Sequence, residues 1–203
     1  MKKLIYNPFE RIAGVEALGI GLVVMVLISV VAHYSNVVFP DILGAKISGK
    51  EHSFLYLIVQ NLGNWIIFSS ILLLFGIFAG KSHIRAIDVF GTQALARIPY
   101  LVFTFLGFAD FNDTLNKIAE SLQKDGPQSQ VISELPFVGL LFLAGFALLS
   151  IAIVIWIIAL MYNAFRVSTN IKGEKSAFLF VVAILLSMVV SYFFKVNVVR
   201  LFL

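Results

Sequence analysis

The stretch "FGTQALARIPYLVFTFLGF", residues 90–108, places Arg97 and Pro99 near the middle of a run otherwise apolar enough to cross a bilayer. A charged side chain at that depth costs about 2.5 to 3.5 kcal/mol on insertion scales, so it must face protein or find a partner. The chemistry open to Arg97 is therefore charge pairing, or recognition of a substrate or ion, away from bulk water. One carboxylate lies well inside an apolar run: Glu16, in "RIAGVEALGIG". At a rise of about 1.5 Å per residue, Glu16 lies roughly 7 Å beyond Arg11 and Arg97 roughly 15 Å beyond Ile87. Helical side chains lean toward their own N-terminus, which tilts Arg97 back toward the depth of Glu16.

A second run, "QNLGNWIIFSS", adds Gln60, Asn61 and Asn64, with the first and last one helical turn apart. Gln93 stands one turn before Arg97. The sequence predicts an intramembrane polar patch of Glu16, Gln60, Asn61, Asn64, Gln93 and Arg97, organised around a Glu16–Arg97 pair. Such groups act either as glue between helices, at about 0.6 kcal/mol per contact, or as a site for a transported species. A near-neutral pair without a second buried acid for a relay favours glue. Pro99 removes a backbone donor and kinks the chain beside Arg97, which opens room for the guanidinium.

The elements that position these residues follow from composition. Hydrophobic residues make up 60% of the 203-residue chain and charged residues 13%, about half the usual charged share of a soluble domain. The mean hydropathy is +0.98. Five apolar runs, about 12–39, 54–79, 87–109, 136–165 and 177–201, each reach the roughly 20 residues that a bilayer crossing needs. None alternates as a barrel strand would, and backbone polar groups within lipid must be satisfied inside each span, so all five read as helices. The predicted fold is an all-α, polytopic bundle of five transmembrane helices in one transmembrane domain, 1–203.

Lys and Arg favour the cytoplasmic ends of spans. With the N-terminus inside, Lys2, Lys3, Arg11, Lys81, Arg85, Arg166, Lys172 and Lys175 flank the inner ends, against Lys46, Lys50, Lys117, Lys124, Lys195 and Arg200 outside. The bias predicts N-inside and C-outside. Residues 110–134 form the longest connection, where Leu115, Ile118, Ala119 and Leu122 share one face. A short amphipathic helix is expected there, capped by Asp113, stopped by Gly126 and Pro127, and lying over the outer mouth of the bundle. "MKKLIYNPFER" lacks the short core and small-residue cleavage site of a signal peptide, so the first helix is expected to stay.

Other chemistry finds little support. There is no cysteine, and hence no thiolate nucleophile, disulfide or Cys-based metal site. His33, Asp41, Glu51 and His52 surround the first outer connection without close ligand spacing, so no metal is expected. The net charge of +4 is scattered over span ends instead of forming a nucleic-acid surface. No nucleotide loop, zinc-protease pair or serine elbow is present, so neither a cofactor nor an enzymatic activity is expected.

Asn7–Pro8 ahead of the first span, "FGTQALARIPYL" opening the third, and "WIIALMYNAFRVSTNIKGEKS" joining the last two give the chain a resemblance to the Yip1-domain membrane proteins. The resemblance covers nearly the whole chain, and the short segment ahead of Ile12 is similar to the prokaryotic branch. It implies a compact five-helix bundle in a bacterial cytoplasmic (inner) membrane. It also implies a non-enzymatic scaffold or adaptor in membrane organisation or trafficking, with membrane lipids, a protein partner and homo-oligomers as associates. The alternative reading is a small transporter or channel that uses the Glu16/Arg97 patch.

Overall fold

The computed structural model describes residues 7–48, 50–79, 83–108 and 137–202. Among them the chain is mostly helical. A single 3-10 turn at Pro8–Glu10 precedes α1 (Gly14–Tyr34). A two-stranded ribbon follows, β1 (Val37–Val38) and β2 (Lys46–Ile47), and then α2 (Phe54–Ala79). Next come α3 (Ala86–Leu95), α4 (Ile98–Leu106), α5 (Phe137–Thr169) and α6 (Glu174–Phe202). With α3 and α4 counted as one interrupted unit, five helices among the described residues are long and apolar enough to cross a membrane. The expected amphipathic helix within 110–134 lies outside the described residues.

The interrupted unit, Ala86–Leu106, is the least apolar of the five and the most enclosed: 67% of its span is buried, against 22–33% for the others. This is where polar residues can be carried at least cost, because neighbouring helices surround it and can supply hydrogen-bond partners. α1 packs along α3, and small residues allow the two backbones to close in. A Cβ added at Gly21 would stand 2.5 Å from the Ala94 Cβ, and one added at Gly91 would stand 2.5 Å from the Gly14 carbonyl oxygen. α5 packs on α3 and α4, and α6 packs on α2. At one end of the bundle the Lys175 ammonium donates to the Ala79 carbonyl at 2.9 Å. The ribbon closes the opposite end.

Besides α5 running on to Thr169 past 165 and α6 starting at Glu174 ahead of 177, two boundaries differ from the periodicity of the sequence. α1 stops at Tyr34 and not at 39, because Asn36 adopts a left-handed φ of 53°, a conformation asparagine tolerates and most residues do not. Pro40 then prevents a helix from restarting. Val37 and Val38, apolar and therefore indistinguishable by hydropathy from more helix, instead pair antiparallel with Ile47 and Lys46. The segment folds inward, with Val37, Phe39 and Ile42 at most 1% exposed. The second boundary is the break at Ala96 and Arg97. Pro99 has no N–H for the Leu95 carbonyl, and the turn tightens to three-residue bonds, Arg97 N–H to the Ala94 carbonyl at 3.2 Å and Tyr100 N–H to the Arg97 carbonyl at 3.0 Å.

Candidate functional site

Five of the six predicted patch residues are brought into the interior. Gln60, Asn61, Asn64, Gln93 and Arg97 are each at most 2% exposed. Arg97 sits at the chain break, where the interruption aims its side chain into the bundle. Its Nη1 donates to Asn61 Oδ1 at 3.1 Å, and its guanidinium carbon lies 5.5 Å from the centre of the Tyr100 ring, within cation–π range. Asn61 Nδ2 in turn donates to the Met25 carbonyl at 3.1 Å and to Ser29 Oγ at 3.3 Å. One amide thus joins α1, α2 and the α3/α4 break.

Glu16 is not part of the network. It is exposed on the first turn of α1, and the only ion pair among the described residues is Arg85–Asp88. Two physical reasons account for this. The buried stripe of α1 runs through Ala17, Gly21, Met25, Ile28 and Ala32, and Glu16 stands one residue, or about 100°, off it. The Asn61 bridge also sets Arg97 level with Met25, nine residues and about 13 Å along the helix from Glu16. The expected Glu16–Arg97 pair is replaced by a neutral amide and an aromatic face.

The remaining amides hold irregular backbone. Asn64 Nδ2 donates to the Phe39 and Asp41 carbonyls, both at 3.0 Å, and the Phe39 N–H donates to Gln60 Oε1 at 3.4 Å. Gln60 Nε2 donates to the Tyr56 hydroxyl at 2.8 Å, and the Tyr100 hydroxyl donates to the Ile42 carbonyl at 2.7 Å. Buried non-helical backbone needs such partners, because no water reaches it. Gln93 reaches the other way, its Nε2 donating to the Met161 carbonyl of α5 at 3.0 Å. Arg97 Nη2 and Gln93 Oε1 have no hydrogen-bond partner among the described residues.

Tyr100 and the inward segment 37–42 were missing from the sequence-based site. Tyr100 carried a signal, since it follows Arg97 by three positions and shares its helical face. The segment carried a weaker one, in Asn36 and Pro40 bracketing two valines. At the ribbon end, His33 Nδ1 lies 2.8 Å from the His52 carbonyl oxygen and His52 Nε2 lies 3.1 Å from Ser48 Oγ. Burial, and then the charges of Lys46 and Lys50, hold the His52 pKa below its ordinary 6.5. No group of three metal-ligating side chains occurs among the described residues.

The geometry defines a helical bundle of membrane-spanning dimensions, with a buried network of amides, tyrosines and one arginine gripping an inward segment. No family model matches the chain, and no curated protein or solved structure matches it either.

Proposed function

We propose that this is an integral membrane protein of Yip1-domain type, residing in a bacterial cytoplasmic membrane with its N-terminus inside and its C-terminus outside. There it acts as a non-enzymatic scaffold or adaptor for membrane organisation or trafficking. The observation that carries this reading is the destination of the buried polar groups. Gln60, Asn64 and Tyr100 are committed to the chain's own backbone at Phe39, Asp41 and Ile42. A transport pathway instead needs such groups free to face a water-filled passage. The family resemblance supports the same reading, as do the five apolar helices.

One observation favours the alternative of a small transporter or channel. Arg97 Nη2 and Gln93 Oε1, a buried donor and a buried acceptor, stand without partners. The deciding experiment is photo-crosslinking in native membranes, followed by affinity purification and quantitative mass spectrometry. The adaptor reading expects one protein, or a second copy of this chain, recovered at near-stoichiometric yield. Recovery of uncrosslinked chain alone, together with solute flux in vesicles that Arg97→Gln abolishes, would overturn it.

A further inference from the structure

The outward side of the α4–α5 contact carries two grooves that share Ile155. The first, about 470 Å³, runs between Phe103 of α4 and Phe146, Ser150 and Val154 of α5, with Lys46 of the ribbon at its rim. The second, about 510 Å³, is walled by Val102, Leu149, Ile153, Trp156 and Ala159. Both fall within the roughly 300–1,000 Å³ of ordinary ligand sites. Apart from Lys46 and Ser150, every lining residue among those described is apolar, and Ser150 bonds its own helix at the Phe146 carbonyl, 2.8 Å away. From Ser150 to Ala159 is nine residues, about 13 Å along the helix. That is close to the depth of one leaflet's hydrocarbon, half of about 30 Å.

The rim is cationic. Lys46 is exposed and forms no ion pair, the only one among the described residues being Arg85–Asp88. Lys50 stands nearby, and the charges of both lysines are felt at His52. Paired hydrocarbon grooves beside an ammonium without an ion-pair partner among the described residues match one class of molecule. The geometry points to a binding site for an anionic diacyl phospholipid, its phosphate against Lys46 and one acyl chain on either side of Ile155. Each chain replaces lipid-exposed area with a shaped apolar wall, and the phosphate meets a charge that no carboxylate among the described residues pairs with. This site is independent of the adaptor reading, since it uses neither the buried network nor a protein partner.

Trp156 provides the readout. The full-length protein is reconstituted in vesicles of brominated phosphatidylcholine, into which unbrominated phosphatidylglycerol or unbrominated phosphatidylcholine is titrated. The part of the tryptophan quenching absent from Trp156→Phe reports occupancy of the grooves. Phosphatidylglycerol should relieve that quenching at about fivefold lower mole fraction than phosphatidylcholine, the worth of roughly one basic residue at a membrane surface. Lys46→Gln should bring the two lipids to parity, and Lys46→Glu should invert the preference. Unchanged quenching of both variants in pure brominated lipid verifies that they fold. Equal competition by the two lipids in the unaltered protein would overturn the proposal, as would a preference that survives Lys46→Glu. Weak quenching of Trp156 whatever the lipid would assign the grooves to a second copy of the chain and overturn it too.

Discussion

Asn61→Leu tests the centre of the bundle most directly. The substitution removes the acceptor of the Arg97 Nη1 hydrogen bond and leaves the guanidinium over the Tyr100 ring with no hydrogen-bonded partner among the described residues. Breaking one side of a buried charged interaction costs about 3 to 5 kcal/mol. The lost bonds to the Met25 carbonyl and Ser29 Oγ add about 0.6 kcal/mol each, so the total is about 4 to 6 kcal/mol. Arg97→Met alone removes the charge and orphans Asn61 Oδ1, at about 1 to 3 kcal/mol. The double variant has neither the buried charge nor the orphaned acceptor and should cost only about 1 to 2 kcal/mol, so the two changes must be strongly non-additive. Reversible unfolding by dodecyl sulfate in mixed micelles, followed by near-ultraviolet circular dichroism, measures all three. Glu16→Gln serves as a control that leaves the midpoint in place. If the double variant equals the sum of the singles within about 0.5 kcal/mol, Asn61 does not hold Arg97 and the reasoning fails.

The ribbon end gives a pH prediction. His52 has a folded pKa below its ordinary 6.5, so the unfolded chain takes up its proton first as pH falls. Its contribution is complete above about pH 6.5 and is lost progressively below that value, a decline in melting temperature that His52→Gln should flatten. Glycine packing gives another prediction. Gly91→Ala drives a Cβ to 2.5 Å from the Gly14 carbonyl oxygen and should destabilise by about 1 to 3 kcal/mol. Gly19→Ala meets nothing within 4 Å and should stabilise by about 0.5 to 1 kcal/mol, and parallel thermal melts separate the two.

The long runs of the chain announced themselves because hydropathy over some twenty residues has few other readings, and the second helix begins and ends where its apolar run does. Hydropathy is silent about direction, however. Val37 and Val38 satisfy it as well in a buried ribbon as in a helix, so the end of α1 was set by the φ of Asn36 instead. In the polar patch, rarity was informative: amides and an arginine in apolar helices had to point inward, and five of them do. Pairing was not legible from depth alone. Glu16 and Arg97 attract by charge, but the helix rotation that buries Ala17 and Gly21 turns Glu16 outward, and packing area outweighs one ion pair.

The bond from Gln93 to Met161 has a consequence for how the chain is made. In a protein inserted helix by helix, Asn61 precedes Arg97 by 36 residues, so the arginine's acceptor is in place when it arrives. Gln93 must wait 68 residues for its carbonyl, about 3 to 14 s at roughly 5–20 residues per second. Through that interval the Gln93 amide lacks the one hydrogen bond that it makes in the folded bundle. On the membrane reading proposed above, a chain truncated before the fourth helix is expected to leave Gln93 without its Met161 partner, and crosslinking of the third helix to the insertion machinery, lost once the fourth is made, would show it.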